Sequence, residues 1–179
     1  MATHTTLRRT ARALDVFIDR IGQVTGWFSL ALVLVMAANV MMRYLFRTGS
    51  VAMQELEWHL MAPVCMLGIS YALLRDGHVQ VDVLYGRFSV KTQRFIDFVS
   101  MLAVTLIAAL LVWLSIPYVE QSWRIGEGSP DPGGLSNRWM LKAIIPLGFV
   151  LLTIQSFAAT LKTWIAFIEG SAIPAMKAE

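Results

Sequence analysis

Four stretches of the chain, residues 21–42, 58–74, 98–119 and 143–161, run for 22, 17, 22 and 19 residues without a single Asp, Glu, Lys or Arg. A helix rises about 1.5 Å per residue, so roughly 20 apolar residues match the ~30 Å hydrocarbon core of a bilayer. Hydrophobic residues make up 56% of the 179, which leaves too little polar side chain to clothe a water-soluble domain of this size. Within lipid every backbone N–H and C=O needs a partner inside the protein, which leaves helices or a closed barrel. Continuous apolar runs lack the alternation of a barrel. The expected fold is an all-α integral membrane protein with four transmembrane helices, over about 21–46, 56–74, 94–119 and 140–164, forming one membrane domain over residues 1–179.

The charges that remain lie between these runs. Ten Lys and Arg fall before the first span, between the second and third, or after the fourth, against five in the other two connections. The positive-inside rule therefore predicts that both termini are cytoplasmic. The net charge of +3 has no dense basic block behind it, so membrane topology accounts for it without nucleic acid. The first apolar run follows basic residues as a secretory signal would. At 22 residues it exceeds the 7–15 of a signal's apolar region, and it is expected to stay as an anchor.

Ahead of the first span Leu7, Ala11, Leu14, Ile18 and Ile21 recur every three or four residues, the pattern of one helical face, so the span is expected to begin as an amphipathic extension. Val81, Leu84, Tyr85 and Phe88 repeat similarly after the turn at Gly77. They predict a short amphipathic helix, about 79–88, lying in the cytoplasmic interface. Ser89 reads as the N-cap of the third span. Pro63 predicts a bend in the second. Residues 126–134 are dense in Gly and Pro and predict a turn or lid between the last two spans.

Chemistry-bearing residues are few. Asn39 and Gln155, the most polar residues within the runs, are expected to hydrogen-bond between helices. Glu55, Glu57, Trp58 and His59 form a polar cluster where the second span starts. Cys65, the lone cysteine, permits no internal disulfide and is expected to serve packing. His59 and His78 stand at opposite ends of one span, so they are not placed to grip one haem. No catalytic, cofactor or metal motif emerges, and the chain is read as a non-enzyme.

The ordered segments Gln54-Glu55-Leu56-Glu57-Trp58, Gly68-Ile69-Ser70-Tyr71-Ala72-Leu73-Leu74-Arg75, Asp76-Gly77-His78-Val79-Gln80-Val81-Asp82 and Lys142-Ala143-Ile144-Ile145-Pro146-Leu147-Gly148-Phe149 resemble those of the small membrane subunit of tripartite ATP-independent periplasmic (TRAP) transporters, the DctQ-like family. The resemblance covers about residues 14–168. It implies a bacterial inner-membrane protein that works beside a large permease subunit and a periplasmic solute-binding protein, with uptake driven by an ion gradient. It also implies that the small subunit enlarges a fixed scaffold while the large one carries the solute. The positions carried over as structural or partner-contact candidates are Glu55, Glu57, Trp58, Arg75, Gly77, His78, Asp82 and Pro146. Arg75 and Asp82 are expected to pair across the inner turn, and Pro146 to sit in a first helical turn, where its missing N–H costs nothing. Contact with the binding protein is expected through residues 120–142.

Two other readings predict different observations. A membrane anchor passing electrons to quinone predicts a haem spectrum. A stand-alone proton-coupled exporter predicts an acidic residue inside a span, which the four runs lack.

Overall fold

The computed structural model describes residues 2–75, 77 and 85–169. They form four long helices: α1 (Ala2–Leu45), α2 (Val51–Leu74), α3 (Val90–Arg124) and α4 (Arg138–Glu169). All four are long and apolar enough to cross a membrane. Contacts between helix ends show the bundle's up-and-down arrangement, Arg75 meeting Asp19, Lys162 meeting Asp15 and Phe95 meeting Phe167. One end of the bundle carries the α1–α2 and α3–α4 loops, and the other carries the start of α1, the α2–α3 connection and the end of α4. These are called here the loop end and the terminus end.

Each helix stops where local chemistry stops it. Arg47 takes a left-handed backbone, φ 55°, and ends the path of α1, since such a residue closes a helix C-terminus. The Ser50 hydroxyl accepts the Met53 N–H at 3.4 Å and caps α2. Ser89 caps α3 as expected, accepting from the Thr92 N–H at 3.3 Å. The α1 stripe is also found, with Ala11 and Ile18 fully buried and Leu7, Leu14 and Ile21 half-buried. At 44 residues α1 is about 66 Å long, far more than a hydrocarbon core, so its first turns extend beyond the span.

α4 is the hub. It lies against α3 along its length and also packs on α2 and α1, which pack on each other. Around an apolar cluster of Ile18, Leu67, Leu74 and Leu151 much of the interior is made of small residues: Ala11, Ala108, Ala158, Ala159, Ala166, Ser70, Ser122 and Ser156 are all buried. Large apolar side chains such as Val33, Leu34, Leu106, Ile107 and Trp113 face outward. Lipid tails are as apolar as leucine, so helices in a membrane associate by close packing of small residues and by polar contacts between helices. The tightest approaches occur at glycine. A Cβ on Gly148 of α4 would stand 2.7 Å from the backbone oxygen of Met66 in α2, and one on Gly22 of α1 would overlap the ring of Tyr71.

Two expectations are corrected. Pro146 is not in a first turn. Asn137 adopts φ 65° and the Arg138 N–H is satisfied by the Glu127 carbonyl at 2.9 Å, so α4 starts at Arg138 and Pro146 falls in its third turn. There it deprives the Lys142 carbonyl of the usual helical donor. Cys65 does not serve the core either. The buried positions of α2 include Pro63, Leu67, Ser70 and Leu74, and Cys65, about 200° around the helix from Pro63, is exposed. The expected interfacial helix over 79–88 falls largely outside the described residues. At its end the Phe88 N–H reaches the Tyr85 carbonyl at 3.1 Å.

Candidate functional site

At the loop end, the first turns of α2 deliver Glu55 into the fold of the α3–α4 loop, where it is 2% exposed. One carboxylate oxygen accepts the Ser129 hydroxyl and faces the Arg138 guanidinium at 3.6 Å. The other accepts the Leu135 N–H at 2.6 Å. A buried carboxylate is tolerable only when its charge is matched and its lone pairs are used. Here a cation, a hydroxyl and a backbone amide supply both, and all come from the loop or the turn after it.

The loop can wrap the carboxylate because of its composition. Gly133 takes φ 81° and Gly126 φ 58°, conformations open to glycine with little penalty. The Ser129 hydroxyl also accepts the Asp131 N–H at 3.1 Å, and the Ser129 N–H reaches the Leu135 carbonyl at 3.0 Å. A Cβ on Gly134 would come within 2.8 Å of Glu55 Oε2 and collide with Ser129, so glycine there lets the backbone close on the acid. The stretch expected to be a turn or a lid is an ordered turn.

A second pair stiffens the same end. Lys142 of α4 donates to Glu127 and lies 4.1 Å from the centre of the Tyr118 ring, while Trp123 and Trp139 meet edge to face at 4.5 Å. The Lys142 ammonium holds the Glu127 carboxyl below the usual carboxylate range. Glu57 points the other way around α2, where it accepts the Asn39 amide of α1 at 2.7 Å. Trp58, at 59% exposure, faces away from the bundle. His59 sets its Nδ1 2.7 Å from the Glu55 carbonyl. A carbonyl only accepts, so that nitrogen carries the proton.

The terminus end is braced in a matching way. Arg75, at the end of α2, donates to Asp19 of α1 at 2.6 Å and lies over the Tyr71 ring at 5.3 Å. The Asp19 carboxylate raises the Arg75 pKa above its usual value. Asp15 of α1 receives Lys162 and the Gln155 amide, the latter at 3.2 Å, both from α4. The Gly77 N–H closes onto the Ala72 carbonyl at 2.8 Å. His78 and Asp82 lie outside the described residues, as does the expected Arg75–Asp82 pair.

The candidates therefore divide between the ends of α2. Glu55 and Glu57 bind different neighbours at one end, Arg75 and Gly77 serve the other, and Pro146 sits within α4. Asn39 and Gln155 make the interhelical bonds expected of them. The residues missed in the sequence are their partners, Ser129 and Leu135 in the loop and Arg138 at the start of α4, with Asp15, Asp19 and Lys162 at the other end. One signal was available. Asp15 lies four residues after Ala11 and three before Ile18, on the apolar stripe, where a charge requires a partner.

Residues 32–166 match the family model described as tripartite ATP-independent periplasmic transporters, DctQ component. The chain is 33% identical over 109 residues to the C4-dicarboxylate TRAP transporter small permease protein DctQ of Pseudomonas aeruginosa, an alignment covering 57% of this chain and 52% of that protein. It is 26% identical over 184 residues to the protein of the same name from Vibrio cholerae, covering 83% and 78% respectively. The chain thus spans about half the length of the Pseudomonas relative.

Proposed function

The chain belongs to the DctQ component family of TRAP transporters, and from that premise we propose that it is the small permease subunit of a solute uptake system. Its role is to act as a rigid inner-membrane partner to a large permease subunit fed by a periplasmic binding protein. In this reading the terminus end is cytoplasmic and the loop end periplasmic, following the basic residues.

The observation that carries the proposal is the distribution of charge. The apolar runs of the spans contain no Asp, Glu, Lys or Arg, whereas carriers of ions and charged solutes place such groups or broken helices near the midplane. The described charged contacts between elements collect at the two ends, where they tie α1 to α2 and α4, and α2 to the α3–α4 loop. Such a bundle resists deformation and suits a fixed support beside a moving partner. The end of α3, beside the loop held by Glu55, presents the exposed Trp123 and Ile125 to the periplasm, and this is the surface proposed for the binding protein. Both relatives are named for C4-dicarboxylates, so succinate is the first solute to test.

The experiment deletes this chain while the permease and binding protein remain. Uptake of labelled succinate, or of the system's own solute once known, is expected to vanish and to return when the chain is supplied in trans. Undiminished uptake in the deletion overturns the proposal.

A further inference from the structure

At the terminus end four aromatic rings form a patch across α3 and α4: Phe95 and Phe98 from α3, Trp164 and Phe167 from α4. Phe98 lies 5.0 Å from Trp164, Trp164 6.3 Å from Phe167, and Phe167 6.2 Å from Phe95, so the rings form one continuous surface. Phe95 is 54% and Trp164 41% exposed, so the surface is open on its outer side.

Lys91 and Arg94 stand four residues before Phe95 and Phe98 on α3, one helical turn or ~5–6 Å nearer the end of the bundle. Five other basic side chains of the bundle meet carboxylates: Arg124 with Glu120, Arg138 with Glu55, Lys142 with Glu127, Arg75 with Asp19 and Lys162 with Asp15. Lys91 and Arg94 meet none among the described residues. Asp97, the nearest carboxylate in sequence, accepts the Tyr85 hydroxyl with both oxygens, at 2.8 and 2.7 Å.

We propose that this patch binds an anionic phospholipid of the cytoplasmic leaflet, with an acyl chain laid on the four rings and the phosphate held by Lys91 and Arg94. The placement matches the ligand's own layout. Charge stands at headgroup depth and aromatic surface one turn deeper, where amphipathic rings favour the interface. Anionic lipid is abundant in the cytoplasmic leaflet and attracts basic residues beside a span. Assignment to that leaflet rests on the orientation proposed above, whereas the lipid preference itself does not.

Native mass spectrometry of the purified full chain, released from detergent containing equal phosphatidylglycerol and phosphatidylethanolamine of matched chains, tests it. Phosphatidylglycerol adducts are expected to dominate by up to roughly thirtyfold, given two basic contacts, and 10 mM inorganic phosphate is expected to leave them bound. The K91Q/R94Q variant should bring the two lipids to parity. The R9Q/R12Q variant, which removes the same charge from α1, should keep the preference. Parity in the wild-type chain, a preference that survives K91Q/R94Q, equal loss in both variants, or displacement by phosphate would overturn the site. None of those results depends on topology, and a cysteine-labelling result that reversed the orientation would leave the lipid preference standing.

Discussion

Glu55 shows how one residue can organise a loop far away in sequence. Replacing it with alanine strands the Leu135 N–H and the Ser129 hydroxyl and leaves Arg138 without its partner, and orphaned buried polar groups cost more than the bond that satisfied them. Glu55→Ala is expected to open residues 126–137 to protease at a rate well above wild type. Glu55→Gln, which keeps the shape and loses the charge, should be intermediate, and equal cleavage of all three proteins would contradict the anchor. Glycines give a sharper test because the space around them differs. Gly148→Leu drives a side chain into the α2 backbone and should lower stability by about 1–3 kcal/mol. At Gly68 only a Thr25 methyl at 4.0 Å awaits a Cβ, so Gly68→Ala should be neutral or stabilise by up to ~1 kcal/mol. Thermal unfolding in detergent separates the two.

Among elements, the α3–α4 loop carries a pH signature. Because Lys142 holds the Glu127 carboxyl below its ordinary value of 4.5, the pair's contribution is complete above that value and fades as pH falls through the lower folded one. A spin label placed by Asp131→Cys, with Cys65→Ala removing the native thiol, should show constant mobility from pH 7 to 5 and rising mobility below about 4.5. Glu127→Gln should begin looser at pH 7 and gain less in acid. A label insensitive to acid in the wild-type background would contradict the pairing.

The helices themselves were legible in sequence because charge-free runs and caps such as Ser89 are local signals. The loop's closure was not legible. Its Gly and Pro announced a turn, but the acid it wraps lies 74 residues away from Ser129, and nothing local encodes that distance. Pro146 was misplaced for a related reason, since the start of α4 is fixed by Glu127 across the loop rather than by its own first turn. Cys65 was misjudged because its apolar neighbours suggest burial, whereas in lipid the outward face is also apolar.

For the molecule as a whole, the membrane changes the usual order: small and polar residues surround a modest apolar core of Ile18, Leu67, Leu74 and Leu151, and large apolar residues cover the surface. Ion pairs at both ends then fix the helices to one another without charging the middle. That arrangement suits the supporting role proposed above for this member of the DctQ component family. The most direct measurement is affinity isolation of the tagged chain from its native membrane, with the polypeptides counted by mass. The account predicts recovery of the large permease subunit in fixed stoichiometry. Isolation of the chain free of that subunit, from membranes that contain it, would contradict the account.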